Sequence, residues 1–343
     1  MIDEKITVNK LALQAGVSAA TVSRVLNHRE LVTKSTIQKV EKAIAELNYT
    51  MKVDKSKKPN REIIIINVPT FENFFFHEII KGAKTSASNH GYNLLINQEA
   101  LNLNMVDSFL RLLKTSHAVG LIILNSIADE TLKIISDAIP VVQCCEYNKN
   151  LDVPYVSIDD MSAAQSAVDY IITSGYRKVA LINGPAHAKY SVERQAGFET
   201  ALALAGIETP RNWIIQLPDV NYEMAISAAN QLLSAENRPN AIFAISDIYA
   251  ASVINVAKRY NISIPHSLVV VGFDNVEVSV ISNPSITTVN LPKFQIGFMG
   301  CEMLCGLIEN PEDRPQNVIL PTELIIREST LASPSRPYHG GFI

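Results

Sequence analysis

The chain has 343 residues, 47% of them hydrophobic, and a formal net charge of −4 at pH 7. This length allows a small N-terminal domain and a body of about 270 residues, which usually means two lobes. No apolar run reaches the ~18 residues of a membrane span, and the first residues lack the charged-then-apolar order of a signal peptide. We therefore predict a cytoplasmic protein without a membrane partner.

The charge is distributed unevenly along the chain. Residues 1–58 contain 11 Lys and Arg against 6 Asp and Glu, a net charge of +5, so the remaining 285 residues carry −9 of the total of −4. A basic segment on an acidic body is typical of a nucleic-acid-binding module, because phosphate neutralisation supplies much of the binding free energy. The N-terminal segment is therefore a candidate DNA-binding domain.

The pattern of caps, turn and apolar residues in this segment predicts a compact head of three helices. Thr7 can cap a first helix over residues 8–15, and Gly16 follows where the chain must turn left-handed. Ser18 can cap a second helix, and a third, amphipathic helix is predicted over residues 33–48. The predicted order is that of a helix-turn-helix motif.

The second predicted helix has an apolar face and a polar face. Val22, Val25 and Leu26 lie on one side, and the opposite side is small and polar. Small residues let a helix enter the major groove, where hydroxyl, amide and guanidinium groups bind base edges and phosphates. We predict groove contacts by Ser18, Ala19, Ala20, Thr21, Ser23 and Arg24, and phosphate contacts by Thr7, Asn27 and Thr33. The alternative is an ordinary helical cap in which Arg24 is a solvated surface charge.

The segment ITVNKLALQAGVSAATVSRVLN, followed by VTKSTIQKVEKAIAELNY, resembles the DNA-binding head of the LacI/GalR family of bacterial repressors. The resemblance covers about residues 6–330 and implies a ligand-responsive repressor that binds a pseudo-palindromic operator as a homodimer, or as a tetramer. The segments FFFHEIIKGAKTSASNHGY and CCEYNKNLDVPYVSIDD further resemble the nucleoside-responsive repressors of the family. The expected effector is a nucleoside or a sugar, acting either as inducer or as corepressor.

Residues 50–61 are predicted to form a basic linker. In many family members this region contains a short helix that folds on the operator and inserts a leucine into the minor groove. Met51 replaces the family's proline here, and Lys58 stands where the leucine would be. The linker is therefore expected to act as a flexible basic tether along the phosphates.

From residue 62 onward, short β-branched runs alternate with helical segments. Continuous apolar strands separated by helices predict an α/β body of two doubly wound parallel sheets, like that of periplasmic binding proteins. Strands are predicted at 63–68, 92–96, 120–124, 141–145, 178–182, 213–216, 241–245 and 268–272, and helices at 76–89, 104–115, 129–137, 161–174, 192–205, 221–234 and 248–260. The predicted domains are a head over 1–49, the linker over 50–61, an N-lobe of about 62–159 plus 290–320, a C-lobe of about 160–289 plus 321–330, and a disordered tail over 331–343.

Ligands of doubly wound sheets bind beyond the carboxyl ends of the strands. The family resemblance implies an effector site there, formed by Asn73, Phe75, Phe76, Glu146, Asp160, Tyr190, Arg194, Val220, Asp247 and Asp274. An arginine and a carboxylate in one cleft suit a polar, hydroxyl-bearing molecule. The alternatives are a core role for the two phenylalanines, a surface salt bridge for Arg194, and a helix-capping role for Ser246 and Asp247.

Nothing in the sequence favours catalysis. The motifs GxxxxGK[ST], GxSxG, HExxH and GxGxxG are missing, and the seven histidines are scattered. Asp159 and Asp160, taken as adjacent strand residues on opposite faces, cannot act jointly as acid and base. The four cysteines lack CxxC spacing and are predicted to be reduced core thiols, with no metal or cofactor. The alternatives to a regulator are a cytosolic sugar or nucleoside receptor, a hydrolase on the same body, or an architectural DNA-binding protein.

Overall fold

The computed structural model describes residues 8–18, 21–22, 25, 32–46, 62–312 and 315–331. The chain divides into two compact units, Met1–Lys58 and Pro59–Ile343, called here the head and the body. Within the part of the chain that the structure describes, no helix combines the length and apolarity needed to cross a bilayer.

The head begins with helix α1 (Val8–Ala15), at the predicted bounds. The helix is followed by Gly16, whose φ of +65° lies in the left-handed region that glycine adopts without steric cost. The amide of Thr21 then donates a 3.1 Å hydrogen bond to the Ser18 hydroxyl, and Thr21 and Val22 are helical. These residues have the predicted order of helix, turn and capped helix.

Helix α2 (Lys34–Glu46) supplies the packing partner that the sequence predicts. The carbonyl of Thr33 accepts hydrogen bonds of 3.0 Å from the amides of Thr36 and Ile37 in the first turn of α2. Val22, Val25 and Val40 are fully buried and belong to one apolar cluster. Because burying a valine stabilises a fold by roughly 1.5 kcal/mol or more, this cluster fixes the apolar face of the helix that contains Val22.

The body contains two six-stranded sheets. In the first sheet the strands lie in the order β11-β5-β4-β3-β1-β2, and each pair of neighbouring strands is parallel. It is formed by β1 (Ile63–Asn67), β2 (Asn93–Asn97), β3 (Ala118–Ile123), β4 (Val141–Cys144), β5 (Tyr155–Ile158) and β11 (Val318–Leu320). Ile64, Ile65 and Ile66 are fully buried, because helices cover both faces of a parallel sheet.

The second sheet repeats this plan in the order β12-β10-β9-β8-β6-β7. Its strands are β6 (Val179–Asn183), β7 (Ile214–Gln216), β8 (Ala241–Ala244), β9 (Val269–Asp274), β10 (Thr287–Asn290) and β12 (Glu323–Ile325). Only the pairing of β12 with β10 is antiparallel among the described strands. In both sheets the strand order reverses near the middle, which creates the crevices where ligands of doubly wound folds bind.

The helices of the body cover the two sheets. They are α3 (Phe75–Asn89), α4 (Val106–Thr115), α5 (Asp129–Ser136), α6 (Asp160–Thr173), α7 (Lys189–Leu204), α8 (Tyr222–Leu233), α9 (Asp247–Arg259), α10 (Glu277–Ile281) and α11 (Lys293–Glu309). Helices α3 and α11 pack so closely that a Cβ at Gly297 would collide with the carbonyl of Ile79. The predicted α/β fold class is therefore confirmed.

The strand interpretation of Asp159 and Asp160 is wrong. Asp159 and Asp160 are not strand residues: Asp159 caps α6, accepting a 2.9 Å hydrogen bond from the amide of Ser162, and Asp160 is the first residue of that helix. The physical reason is the Asp-x-x-Ser spacing, which places a carboxylate and a hydroxyl together at a helix start. Asp160 faces the site described next.

Candidate functional site

Three of the predicted DNA contacts lie among the described residues. The Ser18 and Thr21 hydroxyl oxygens are 2.8 Å apart, and those of Thr33 and Thr36 are 2.9 Å apart. Both pairs lie at or beside a helix start, where hydroxyls and amides can bind phosphate. Thr7, Ala19, Ala20, Ser23, Arg24 and Asn27 lie outside the described residues, as does the whole linker.

In the body, a cavity of about 240 Å³ opens where strands of both sheets end. Loops and helix starts after several strands of both sheets form its wall. The wall includes nine of the ten predicted effector contacts, namely Asn73, Phe75, Phe76, Glu146, Asp160, Tyr190, Arg194, Val220 and Asp274. Because the carboxyl ends of parallel strands meet at one edge of each sheet, residues far apart in the chain reach one cavity.

Arg194 is the centre of the charge network at this wall. Its Nε donates a 2.8 Å hydrogen bond to Asp160 Oδ1. Its Nη1 donates to the carbonyl of Ile245 at 2.7 Å and lies 3.3 Å from Asp274 Oδ1. The guanidinium carbon lies 3.6 Å from the ring centroid of Phe273. With only 5% of its surface exposed, Arg194 does not form the solvated salt bridge that was its alternative role.

Asp160 connects this arginine to a second cation. Its Oδ2 accepts a 2.7 Å hydrogen bond from Lys189 Nζ, which also donates to Glu193 at 3.0 Å. Burial alone would lower the pKa of Lys189, but the two carboxylates outweigh it and hold that pKa above its ordinary value. Lys189 is therefore a protonated group whose charge is matched inside the protein.

Asp274 ends β9 in an unusual backbone conformation. Its φ is 101° and that of Asn275 is 49°, both in the left-handed region that non-glycine residues seldom adopt. Lys293 Nζ donates to the carbonyls of both residues, and Arg327 Nη2 donates to Asn275 Oδ1 at 2.8 Å. Burial raises the pKa of Asp274 to about 6, against the opposing effect of Arg194. These supports hold the carboxylate at the cavity wall.

Glu146 links the lobe built on the first sheet to the lobe built on the second. Its two carboxylate oxygens accept hydrogen bonds of 2.8 Å and 3.1 Å from the amides of Lys189 and Tyr190, at the start of α7. The residue at the N-cap of α7 is Ala188, which provides no side-chain cap. Burial raises the pKa of Glu146, although the two amides oppose this shift. Glu146 thus supplies a helix cap from across the cleft.

Comparison with known proteins identifies the family. The model for the lacI family of bacterial regulatory proteins matches residues 7–51, and that for a periplasmic binding protein-like domain matches residues 168–330. The transcriptional repressor CytR of Escherichia coli K12 is 32% identical over 333 residues, which are 96% of this chain and 97% of CytR. The chain belongs to the lacI family. Its predicted resemblance to these repressors is confirmed.

Further relatives agree with this membership of the lacI family. The repressor PurR of Photobacterium profundum is 30% identical over 339 residues, covering 94% of this chain and 98% of PurR. The solved complex of the transcriptional regulator CelR with cellobiose superposes with a TM-score of 0.72 at 26% identity, covering 95% of this chain and 100% of CelR. The head and the two-lobed body are therefore shared along nearly the whole chain.

The aromatic part of this lacI-family wall serves the core as well as the cavity. The rings of Phe75 and Phe76 meet edge to face at 5.2 Å, and each residue is 8% exposed. Asn73 Oδ1 accepts a 3.0 Å hydrogen bond from the amide of Phe75 and so fixes the start of α3. The core role considered for the two phenylalanines and their place at the wall are thus both realised.

Asp247 is the predicted contact that the structure does not bring to the wall. It is fully buried, and its Oδ2 accepts a 2.8 Å hydrogen bond from the amide of Val276. Burial raises the pKa of Asp247 to about 8. The wall instead contains Ser246, whose hydroxyl caps α9 by accepting from the amide of Ile248 at 3.3 Å. Asp247 supports the loop behind the wall.

Other wall residues were not selected from the sequence. Ser126 and Asp219 follow β3 and β7, so the rule that ligands bind at strand ends could have found both. Ser126 donates a 3.4 Å hydrogen bond to the carbonyl of His187 in the other lobe. Cys145 has a φ of 67°, and burial raises the pKa of its thiol. No sequence signal distinguishes Cys145 from the buried Cys144 beside it.

Proposed function

We propose that this protein is an effector-responsive transcriptional repressor whose head binds an operator in double-stranded DNA and whose body binds a small polar molecule in the cavity. The observation that carries the proposal is the convergence of Arg194, Asp160 and Asp274 on one cavity in a member of the lacI family. The named full-length relatives are transcriptional repressors and not enzymes. The expected place of action is the cytoplasm.

The chemistry of the wall favours a hydroxyl-bearing effector. Among the described residues, Arg194 Nη2 and Asp274 Oδ2 have no hydrogen-bond partner, although the other polar atoms of both groups are bonded. One is a donor and the other an acceptor, so a pair of neighbouring hydroxyl groups can bind both. Phe75, Phe76 and Tyr190 supply an apolar surface. A nucleoside or a sugar meets these requirements, and one solved relative binds cellobiose.

We infer that the head contacts DNA through the residues given by the sequence pattern, in a homodimer. The proposed groove contacts are Ser18, Ala19, Ala20, Thr21, Ser23 and Arg24, and the proposed phosphate contacts are Thr7, Asn27 and Thr33. One helix-turn-helix head makes too few base contacts for selective binding, whereas a dimer reads two half-sites.

The effector would act by shifting a population of lobe arrangements. The cavity wall comes from both lobes, and Glu146 and the 2.9 Å ion pair between Lys149 and Glu193 already connect them. A ligand that contacts both lobes favours one arrangement by its difference in affinity, and that difference limits the response.

A gel-shift experiment with the full chain separates the candidate functions. Operator sites are first selected from genomic fragments, and binding is then measured with and without nucleosides and sugars. A repressor binds selected DNA and responds to at least one effector. A receptor or a hydrolase leaves the DNA unbound, and an architectural protein binds it regardless of ligand, so either result would contradict the proposal.

A further inference from the structure

We propose that the cavity selects an uncharged effector and rejects the phosphorylated form of the same molecule. This inference deepens the proposed function and rests on it, because it assumes that a small polar effector binds in the cavity. It is carried by the charges of the wall and by the occupied helix N-termini around it.

The wall carries more negative than positive charge. Its carboxylates belong to Glu146, Asp160, Asp219 and Asp274, and its basic side chains are Arg194 and His187. The guanidinium of Arg194 lies within 3.3 Å of a carboxylate oxygen of both Asp160 and Asp274, so its charge is already balanced. A phosphate group would therefore meet uncompensated carboxylates.

The two lysines bonded to the wall residues Asp160 and Asp274 are not wall residues themselves, and their ammonium groups are occupied. Lys189 Nζ is bonded to Asp160 at 2.7 Å and to Glu193 at 3.0 Å. Lys293 Nζ is bonded to the backbone carbonyls of Asp274 and Asn275, and the residue is 9% exposed. Neither lysine is part of the cavity wall. Binding a phosphate through either one would require breaking contacts that hold the site together.

Four helix N-termini around the cavity are already occupied by side-chain caps. A free helix start binds phosphate through its unpaired amides. Here four helix starts near the cavity each have amides bonded to side-chain oxygens: α3 by Asn73, α6 by Asp159, α7 by Glu146 and α9 by Ser246. Two of these caps are carboxylates, which add negative charge where a phosphate would need positive charge.

The test compares each uncharged molecule with its own phosphate ester. Cytidine, adenosine and glucose, each beside its monophosphate ester, are titrated into the full chain by calorimetry at low salt. The best uncharged molecule should bind about 100-fold more tightly than its ester, and added salt should narrow the gap, because salt screens repulsion at an open cavity.

A variant that removes one negative charge from the wall tests whether the preference depends on the charge of the cavity. Asp219 is exposed at the cavity, forms no ion pair among the described residues, and accepts a 2.7 Å hydrogen bond from the amide of Val220. Asp219→Asn keeps the size of the side chain and should reduce the preference for the uncharged molecule at least threefold. Asp137→Asn removes the same charge at the end of α5, away from the wall, and should leave the preference unchanged.

An ester that binds as tightly as the uncharged molecule, or more tightly, would overturn the proposal that the cavity selects an uncharged effector. An equal loss of preference in both variants would also overturn the role of Asp219. The proposed function would still stand if such an ester changed operator affinity. It would fail separately if the chain bound no operator, whichever form of the ligand the cavity preferred.

Discussion

At the residue scale, the carboxylate of Asp274 tests the proposed effector site. It faces the cavity, is 7% exposed, and has one oxygen 3.3 Å from Arg194 Nη1. Asp274→Asn keeps the size but removes the charge and the acceptor strength that an effector hydroxyl needs. We expect effector affinity to fall at least tenfold, while operator affinity without effector stays unchanged. Calorimetry and fluorescence anisotropy measure the two quantities, and a normal effector response of the variant would remove Asp274 from the site.

Arg24 tests the DNA-binding face in the same way, although it lies outside the described residues. Arg24→Ala removes a guanidinium from the predicted groove face, and such contacts are typically worth about 1–3 kcal/mol. We expect operator affinity to fall roughly tenfold or more, with the melting temperature and effector affinity unchanged. Lys39→Ala, on the exposed side of α2, removes the same charge and serves as the control. Equal losses in both variants would reduce Arg24 to a nonspecific phosphate contact.

At the element scale, the junction of α3 and α11 combines close packing with a charged cluster. His90 follows α3, and its ring nitrogens lie 3.3 Å from carboxylate oxygens of Glu302 and Glu309, both on α11. The hydrogen bond to Glu302 is the main cause that raises the pKa of His90 to about 9, against a smaller opposing effect of burial. The cluster therefore ties the end of α3 to α11.

The pH dependence of stability follows from that shift. Because the pKa of His90 is higher in the folded protein than its ordinary value of 6.5, the added stability is complete below about pH 6.5 and is lost as pH rises through about 9. His90→Gln should lower the free energy of unfolding by about 1 kcal/mol at pH 6, a value reduced for partial exposure, and should flatten this decline. Urea unfolding between pH 6 and pH 9.5 measures both effects; a parallel decline in the variant would assign it to other groups.

Gly297 tests the close packing at the same junction. In a helix, Gly→Ala normally stabilises by about 1 kcal/mol. Here the added Cβ would collide with the carbonyl of Ile79 on α3. We therefore expect Gly297→Ala to destabilise the body by about 2 kcal/mol, measured by urea unfolding. A gain in stability would mean that α3 and α11 do not pack this closely in solution.

The elements also show how far the sequence alone could reach. Strongly apolar strands such as β1 and β8 were predicted within two residues of their bounds, because their local pattern is sufficient. Strands β5, β10, β11 and β12 were not predicted. The three-residue strands β11 and β12 depend on pairing with β5 and β10. Helix α7 was predicted to begin at Val192 but begins at Lys189, because its cap is Glu146, more than forty residues earlier in the chain.

The residues of the candidate site were likewise predictable only where a local pattern was sufficient. Residues directly after strands reach the cavity because the parallel strands of each sheet end at the same edge, so the prediction needed no knowledge of side-chain positions. The rule that ligands bind at strand ends could not decide whether Ser246 or Asp247 faces the cavity, because the two residues are consecutive at the start of α9. One faces the cavity and the other bonds to Val276 behind it. That choice depends on the backbone of a loop after β9, which no local pattern specifies.

At the scale of the whole molecule, the chain combines a basic head with an acidic body that contains a cavity between two lobes. The bonds from Glu146 to the start of α7 connect the two lobes directly. If effector binding alters operator affinity by a given factor, operator binding must alter effector affinity by the same factor. This reciprocity follows from thermodynamics and requires no knowledge of how the head and the body are arranged.

The central claim is that effector binding in the body changes operator binding by the head. Its most direct test is the factor by which each ligand changes the affinity for the other, measured on the full chain. Operator affinity is measured with and without saturating effector, and effector affinity with and without saturating operator, at one salt concentration. We predict a factor of at least ten that agrees between the two directions. If no molecule that binds to the body changes operator affinity, the proposed coupling is contradicted.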